Sequence, residues 1–280
     1  MTTSQAGNTD ARRWPRAARW LASLAAIAVA LYLLLLAAIW HAQERLLFAP
    51  IALPAEHRFA FGADVHEAWI EVPGARLNVL NLRLPHPDAA VFFLHGNGGN
   101  LESWFVNTDF YRQANVDLFM LDYRGYGKSG GRIESQAQLE ADVRLAWARF
   151  VALYPGQRHV IYGRSLGTGL AASLAAEVQP ELTVLVSPYR SMVALAGEHY
   201  PWVPGALVRY PLHTDEVLPR IATPVWMAHG QADGLIPIRH AEQLQAVAPR
   251  AQLLRVAGAG HNDIHQLKAY LDGLRQVVRR

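Results

Sequence analysis

The pentapeptide Gly163-Arg164-Ser165-Leu166-Gly167 has the form G-x-S-x-G, the pattern of a nucleophilic serine on a tight turn between a strand and a helix. The apolar run "HVIY" precedes it, and a stretch suited to a helix follows it. Such a turn strains the backbone of the serine, so the residues two positions away on either side must be small. Gly163 and Gly167 meet that requirement. The alternative is a serine that caps a helix beside packing glycines, and the pentapeptide alone does not decide between the two.

A serine nucleophile also needs hydrogen-bond donors for the oxyanion that forms on its substrate. The backbone N–H of Leu166, at the start of the predicted helix, is one expected donor. The loop "LHGNGGN" at 94–100 follows the strand-like run "AVFF" and is expected to supply the second, from Asn97 or alternatively Gly98. His95 is predicted to be structural, bonded to nearby backbone, and not a catalytic base.

Two later loops supply the other members of a Ser-His-Asp triad. Asp233 lies in "HGQADGLIP", a few residues after the apolar run "PVWMA", where a carboxylate can orient an imidazole or simply bond its own turn. His261 lies in "GAGHNDI", between the last strand-like run and the last predicted helix. Asp215 and Asp263 are rival acids, but Asp215 precedes its strand, and Asp263 is too close in sequence to bond the far nitrogen of the histidine. The order serine, aspartate, histidine is typical of hydrolases built on a parallel sheet.

The elements that must position these loops are short apolar runs alternating with helix-like stretches. This alternation predicts an α/β domain whose strands are buried on both faces of a mostly parallel sheet. "AWIEV" and "RLNVLNLRL" flank Pro73-Gly74 and predict a hairpin. Ligands of such sheets bind at the carboxyl ends of the strands, where the loops above fall. Helices are predicted at about 101–114, 135–153, 166–178, 238–248 and 263–278.

Residues 20–40 are apolar, with no charge and no proline, and have Trp20 and Trp40 at their ends. About twenty helical residues span a hydrocarbon core of about 30 Å, so this segment predicts an uncleaved transmembrane anchor. A cleaved signal peptide is one alternative, although its apolar core is usually shorter and it ends in small residues, not a tryptophan. A buried core helix is the other alternative.

The charges that flank this segment predict its orientation and the domain layout. Arginines cluster before it, whereas the acidic and basic residues just after it cancel. The positive-inside rule then places the N-terminus in the cytoplasm and the rest on the extracytoplasmic side, the periplasm in a bacterium. The predicted order is a basic tail at 1–19, the anchor at 20–40, a connecting segment at 41–65 and the catalytic domain at 66–280.

Composition excludes several classes of function. The 280 residues include no cysteine, so disulfides, thiolate metal sites and a cysteine nucleophile are excluded. The formal charge of +3 is concentrated in the N-terminal tail, and no basic stripe predicts nucleic-acid binding. Gly127-Lys128-Ser129 would end a phosphate-binding loop only with glycine at 122, where Asp122 stands. No metal-binding pattern is present either, so neither a metal nor another cofactor is predicted.

The motifs together resemble the membrane-anchored, bud-emergence-related branch of the α/β-hydrolase superfamily, which includes the human α/β-hydrolase-domain proteins. The resemblance spans about residues 41–280 and implies an eight-stranded, mostly parallel sheet with an antiparallel second strand. It also implies Ser165 as nucleophile, Asp233 as acid and His261 as base. Some members act as palmitoyl-protein thioesterases and attach to membranes through a cysteine-rich N-terminus, so protein depalmitoylation is not carried over to this cysteine-free chain. The motifs are "RLLFAP", "HGNGGN", "DYRGYGKSGG", "GRSLGTG", "SPYRSM", "GQADGLIP" and "GHND".

These features predict a membrane-anchored serine hydrolase that cleaves carboxylic ester or thioester bonds through an acyl-enzyme. Residues 188–223 leave room for only a helix and a loop as a cap over the site. Tyr189, Tyr200 and Trp202 are predicted to line an open acyl pocket there, or alternatively to cover the sheet. A site near a bilayer favours small-molecule or lipid-like acyl substrates.

Two other functions remain open at this point. An acyltransferase or a peptidase can be built on the same fold, with Glu198 as a candidate to fix a peptide terminus. The chain can also be a tethered binding module without activity, although such proteins usually lose a triad residue and all three positions are filled here.

Overall fold

The computed structural model describes residues 15–279, and its contacts divide the chain between Ala42 and Gln43 into two units. The first unit contains most of helix α1 (Arg16–Leu47), none of whose residues is buried. Alanine, leucine, arginine and glutamate all favour a helix, so α1 extends beyond the predicted 20–40 at both ends. It is long and apolar enough to cross a membrane, a criterion that a signal sequence near the N-terminus also satisfies.

The second unit is built on a sheet that has eight strands within residues 15–279, in the order β1-β2-β4-β3-β5-β6-β7-β8. A hairpin around Gly74, at φ 75°, joins β1 to β2, and β2 is also antiparallel to β4. The other neighbours are parallel, which confirms the predicted eight-stranded α/β sheet with an antiparallel second strand. The strands are β1 (Val65–Val72), β2 (Ala75–Leu82), β3 (Ala89–Leu94), β4 (Val116–Leu121), β5 (Arg158–Arg164), β6 (Leu182–Val186), β7 (Val225–Gly230) and β8 (Gln252–Val256).

Helices cover both faces of this sheet. The prediction of a single helix at 101–114 is wrong. Two helices occupy this range, α2 (Leu101–Trp104) and α3 (Thr108–Ala114), and Asn107 between them adopts a left-handed conformation at φ 58°. The helix predicted at 263–278 begins as a separate 3-10 turn at Ile264–Gln266. The cap between β6 and β7 is small, as predicted, and is built on α6 and α7. The helices of this unit are α2 (Leu101–Trp104), α3 (Thr108–Ala114), α4 (Gln136–Leu153), α5 (Gly167–Val178), α6 (Met192–His199), α7 (Thr214–Val217), α8 (Arg239–Val247) and α9 (Lys268–Val278).

The core has one apolar layer on each face of the sheet because successive side chains of a strand point to opposite faces. In β3, Phe92 packs with Phe119 and Phe150 on one face. Phe93 stacks on Tyr162 on the other face, with ring centroids 4.2 Å apart. Since every residue of β3 is buried, its continuous apolar run is explained by burial on both faces.

One buried carboxylate makes the stability of this fold depend on pH. Asp117 in β4 is 2% exposed and accepts a hydrogen bond of 2.7 Å from the Leu84 N–H. Burial raises the pKa of Asp117 to about 6, against the opposite effects of that N–H and of Arg83. The folded protein therefore binds more protons than the unfolded chain between about pH 4 and 6, so this group lowers stability as pH rises through that window.

Replacing Asp117 with asparagine should raise the free energy of unfolding by about 1–3 kcal/mol at pH 7.5 and change it little at pH 4. The amide oxygen can still accept from the Leu84 N–H, but no charge remains to be buried. Thermal unfolding of the full chain in detergent at both pH values measures the effect. Asp88→Asn, at an exposed position, is the control. Equal effects at the two pH values would show that the charge of Asp117 is not the cause.

Candidate active site

The turn between β5 and α5 holds Ser165 in a left-handed conformation, at φ 50°. A residue other than glycine in that region costs about 1–3 kcal/mol and persists only where its surroundings impose it. A Cβ added to Gly163 would lie 2.6 Å from the Ala171 Cβ, and one added to Gly167 would lie 2.1 Å from the Leu94 carbonyl oxygen. Both glycines are therefore required by close contacts with a side-chain carbon and a backbone oxygen, as the motif predicts.

The turn also excludes the helix-capping alternative for this serine. The residue that caps α5 is Leu166, and α5 has no side-chain cap. The Ser165 carbonyl instead accepts hydrogen bonds from the backbone N–H and the hydroxyl of Thr168, at 2.9 and 2.6 Å. These bonds hold the first turn of α5 and do not involve the Ser165 hydroxyl.

The three predicted triad side chains lie in one hydrogen-bonded line. His261 Nε2 is 3.0 Å from Ser165 Oγ, and His261 Nδ1 is 2.8 Å from Asp233 Oδ2. They come from the loops after β5, β7 and β8, which meet at the carboxyl edge of the sheet. Since the carboxylate can only accept, Nδ1 donates to it, and neutral Nε2 is left to accept the serine proton.

The Asp233 carboxylate is held in its charged form. It is 5% exposed, and its other oxygen, Oδ1, accepts from the N–H groups of Leu235 and Ile236 at 3.0 and 2.8 Å. Burial by itself raises the pKa of Asp233, but hydrogen bonds with His229, His261 and the Ile236 N–H outweigh it and lower the pKa below its usual range. His229 had no predicted role, and its Nε2 lies 3.5 Å from this carboxylate. It was missed because it lies inside β7, where nothing in the sequence distinguishes it from a core residue.

The rival aspartates lie in other contacts. Asp215 pairs with Arg190 at 3.0 Å. Asp263 accepts a hydrogen bond of 2.7 Å from the Gly260 N–H, within its own turn. Neither is hydrogen-bonded to the His261 ring in the part of the chain that the structure describes.

The predicted oxyanion loop lies directly against Ser165. A Cβ added to Gly96 would lie 3.3 Å from the Ser165 Cβ. The Asn97 side-chain oxygen accepts from three donors, the N–H groups of Ala49 and Gly98 and the Tyr126 hydroxyl, at 2.9, 2.8 and 3.0 Å. Because the Gly98 N–H is already occupied, the backbone N–H of Asn97 is the better candidate for the second oxyanion donor.

Comparison with known proteins assigns the chain to a family. The sequence model of the family Hydrolase_4, "Serine aminopeptidase, S33", matches residues 85–210. The α/β-hydrolase domain-containing protein 17C of Xenopus tropicalis is 30% identical, over 75% of this chain and 68% of its own length. The chain belongs to the α/β-hydrolase family. An uncharacterized protein of Mycobacterium tuberculosis is 31% identical over 86% of this chain and 88% of its own. The esterase Pf2001 of Pyrococcus furiosus shares the fold, with a TM-score of 0.63 and 16% identity over 83% of this chain and 96% of that one.

In this α/β-hydrolase the segment after α1 supports the oxyanion loop, a contact that the sequence did not reveal. The Ile51 N–H donates to the Gly99 carbonyl at 3.0 Å. The Leu53 N–H donates to the Gly127 carbonyl at 2.7 Å, and Gly127 N–H returns a bond to Ile51. Residues 48–53 are thus part of the hydrolase packing, whereas the sequence predicted only a connecting segment. The motif "RLLFAP" was the one available signal.

His95 has a structural role, as predicted. Its ring is fully buried, Nδ1 donates to the Gly96 carbonyl at 2.7 Å, and Nε2 lies 3.5 Å from the Asp122 carboxylate. Its own carbonyl accepts from the Tyr123 hydroxyl at 2.9 Å. The same Asp122 that breaks the phosphate-loop pattern therefore lies behind the oxyanion loop.

Replacing Tyr126 with phenylalanine should lower kcat by about 3- to 10-fold, because the Asn97 side chain loses one of the three bonds that hold the oxyanion loop. Steady-state kinetics on a p-nitrophenyl ester measure this. Tyr154→Phe is the control, since that hydroxyl is also buried but lies 3.5 Å from Asn81, outside the loop. An unchanged kcat in Tyr126→Phe would show that the hydroxyl does not position the loop.

The three predicted substrate contacts differ in placement. Tyr189 is fully buried, and its hydroxyl donates to the Leu166 carbonyl at 3.0 Å, so the prediction that it lines an open pocket is wrong. The apolar ring that suggested a substrate contact instead packs beneath the nucleophile turn, against Gly169. Tyr200 and Trp202 lie on the cap surface, 56% and 46% exposed, with ring centroids 6.4 Å apart.

Among residues 15–279, one group of His, Asp and Glu side chains is close enough together to hold a metal ion. The ligand atoms of His213, Asp215 and Glu216 lie within 4.8 Å of one another. Their side chains are partly or well exposed, and Asp215 already pairs with Arg190. Because Arg190 neutralises Asp215 and the other two side chains are at least partly exposed, we interpret this group as a surface cluster of charges and not as a metal site.

Proposed function

We propose that this α/β-hydrolase is a serine hydrolase that cleaves carboxylic ester or thioester bonds through an acyl-enzyme. The observation that carries the proposal is the hydrogen-bonded line from Ser165 through His261 to Asp233, with the serine in a strained conformation beside a glycine-rich loop. The buried Ser187 also has a left-handed backbone, at φ 52°, so the strain alone does not distinguish a nucleophile. Ser165 differs because its hydroxyl is hydrogen-bonded to a histidine that is itself bonded to a carboxylate, as a triad requires.

In the proposed first step, Ser165 Oγ attacks the carbonyl carbon while His261 Nε2 takes its proton. Asp233 keeps the Nδ1 proton in place and stabilises the imidazolium that forms. The backbone N–H groups of Leu166 and Asn97 bind the oxyanion, each contributing about 2.7–4 kcal/mol to the transition state. His261 then protonates the leaving alkoxide or thiolate, and water, deprotonated by the same histidine, hydrolyses the acyl-enzyme.

The proposed substrates are small-molecule or lipid-like acyl esters and thioesters. Between β6 and β7 the cap consists of short helices, so the site has little covering structure to restrict a leaving group. The exposed rings of Tyr200 and Trp202 offer an apolar surface on that cap. The proposed reaction uses no cofactor, because the triad supplies the nucleophile, the base and the acid.

A peptidase is the second candidate, favoured by the name of the matching family, "Serine aminopeptidase, S33". Glu198 was the candidate for binding a peptide amine. Its carboxylate is already engaged by Arg239, at 3.0 and 2.6 Å, and by His240 at 3.1 Å. An acidic group with two cationic or donor partners is poorly placed to bind a third, so ester or thioester cleavage is the better proposal.

Activity-based labelling tests the proposal directly. A fluorophosphonate probe should label the full chain and should not label Ser165→Ala. Rates on short- and long-chain p-nitrophenyl esters, on acyl thioesters and on aminoacyl-naphthylamides then separate esterase, thioesterase and peptidase. Absence of labelling in a folded wild-type protein would favour the inactive binding module, and preference for aminoacyl-naphthylamides would favour the peptidase.

We further propose that α1 is an uncleaved anchor, with a cytoplasmic tail at 1–19, a span at 20–40 and the hydrolase on the extracytoplasmic side. The support is the length and apolar character of α1 and the arginines before it. Full-length protein should sediment with membranes without detergent, and external protease should digest the hydrolase while sparing an N-terminal tag. A soluble chain that lacks its N-terminus would show a cleaved signal instead.

A further inference from the structure

A mostly apolar pocket of about 300 Å³ lies beside the triad but is separate from it. This volume is at the lower end of the range for small-molecule sites. The pocket is on the α3 and α9 face of the sheet, and none of the three triad residues lines it. Much of its lining is aromatic or aliphatic and includes Phe93, Trp104, Phe110, Tyr162, Leu271 and Leu274.

A buried cation without an acid partner also lines this pocket. Arg164 is 5% exposed, and its Nη2 donates to the His261 carbonyl at 2.6 Å. Its Nε has no hydrogen-bond partner, and no carboxylate pairs with the guanidinium within residues 15–279. Arg124 is equally buried but forms a two-bonded pair with Asp142, at 2.5 and 2.8 Å.

This contrast matters because a buried charge is unfavourable unless a partner compensates it. The fold supplies that partner to Arg124 and supplies only one carbonyl to Arg164. Arg164 lines the pocket, and its Nε–H has no acceptor within the described residues. An anionic acceptor in the pocket would therefore compensate the charge of the guanidinium.

The remaining polar groups of the pocket are neutral near pH 7. The hydroxyls of Tyr162 and Tyr270 are bonded to each other at 2.5 Å. Burial, and then Arg164, lowers the pKa of His265. The side chain of Asn262 is an uncharged amide in the same lining. One cation among neutral groups suits a singly charged ligand better than a phosphate dianion.

We propose that this pocket binds a short aliphatic carboxylate, with the carboxylate on Arg164 and the chain against the aromatic lining. The carboxylate pairs with the Arg164 guanidinium in a charge-assisted interaction. The site goes beyond the proposed hydrolysis, because binding here needs no reaction at Ser165.

Isothermal titration calorimetry on the full chain in detergent tests this, with hexanoate as the ligand. The protein carries Ser165→Ala, so the result does not depend on the proposed activity. Hexanoate should bind about tenfold more tightly than its neutral analogue hexanamide and than acetate, which lacks the chain. Arg164→Gln should weaken hexanoate at least tenfold, whereas Arg255→Gln, at a surface ion pair, should not.

A second variant keeps the test valid if Arg164→Gln fails to fold. Val106 lies at the pocket rim and is 43% exposed, so Val106→Trp should fill the opening without disturbing the core, and hexanoate binding should fall. Equal affinity for hexanoate and hexanamide would overturn the proposal. So would loss of hexanoate binding in wild-type protein blocked by a fluorophosphonate, because that places the carboxylate at the triad.

Discussion

Replacing Ser165 with alanine is expected to lower kcat on an ester substrate by about 10⁴- to 10⁶-fold. The change removes Oγ, the atom 3.0 Å from His261 Nε2, and leaves no other hydroxyl in that line. The oxyanion donors and the substrate surface remain, so KM should change little. Initial rates on a p-nitrophenyl ester at saturating substrate, with active-site titration of the wild type, measure the loss.

Two further serine variants separate chemistry from folding. Ser173→Ala changes a serine within α5, the helix that follows Ser165, and should keep full activity. Ser165→Gly should lose activity like the alanine variant. Its free energy of unfolding should exceed that of the alanine variant by about 1 kcal/mol, because glycine adopts the left-handed conformation without strain. Substantial turnover by purified Ser165→Ala would contradict the assignment of Ser165 as nucleophile.

Replacing Asp233 with asparagine is expected to lower kcat by about 10⁴-fold while the turn stays intact. The amide oxygen can still accept from the Leu235 and Ile236 N–H groups. The amide N–H₂ then faces His261 Nδ1, and this favours the tautomer with the proton on Nε2. That tautomer cannot accept the proton of the serine. Rapid-mixing kinetics should show the loss in the acylation step.

The rival acids provide matched controls for this experiment. Asp263→Asn changes the carboxylate that bonds the Gly260 N–H, two residues from the proposed base. Asp215→Asn changes the partner of Arg190. Both variants should keep kcat within a factor of about three of wild type, because each loses only an interaction outside the Ser165–His261–Asp233 line, of the kind that contributes about 0–1 kcal/mol. A larger loss in Asp263→Asn than in Asp233→Asn would transfer the acid role to Asp263.

The α/β class of the hydrolase domain was predictable from local signals, whereas its eight strands and antiparallel second strand were implied by the resemblance to a known family. Apolar runs with strand length predict β3 to β8 since burial on both faces demands them. Gly163 and Gly167 predict the turn because their missing Cβ atoms are what its backbone contacts require. The same local reasoning failed at 101–114, where nothing in the periodicity marks the end of α2 at Trp104 or the left-handed Asn107 that precedes α3.

Contacts between distant segments were not predictable, and they define much of the site. The sequence by itself predicted the tight turn at Ser165, the later loops that carry Asp233 and His261, and the apolar N-terminal helix, because each of these signals lies in neighbouring residues. Only the tertiary structure placed residues 48–53 on the oxyanion loop, buried Tyr189 beneath the turn, and left Arg164 beside a pocket without an acidic partner in the described residues. These three features depend on which segments pack together. The burial of a side chain and the absence of a partner for a charge are properties of the whole fold, not of neighbouring residues.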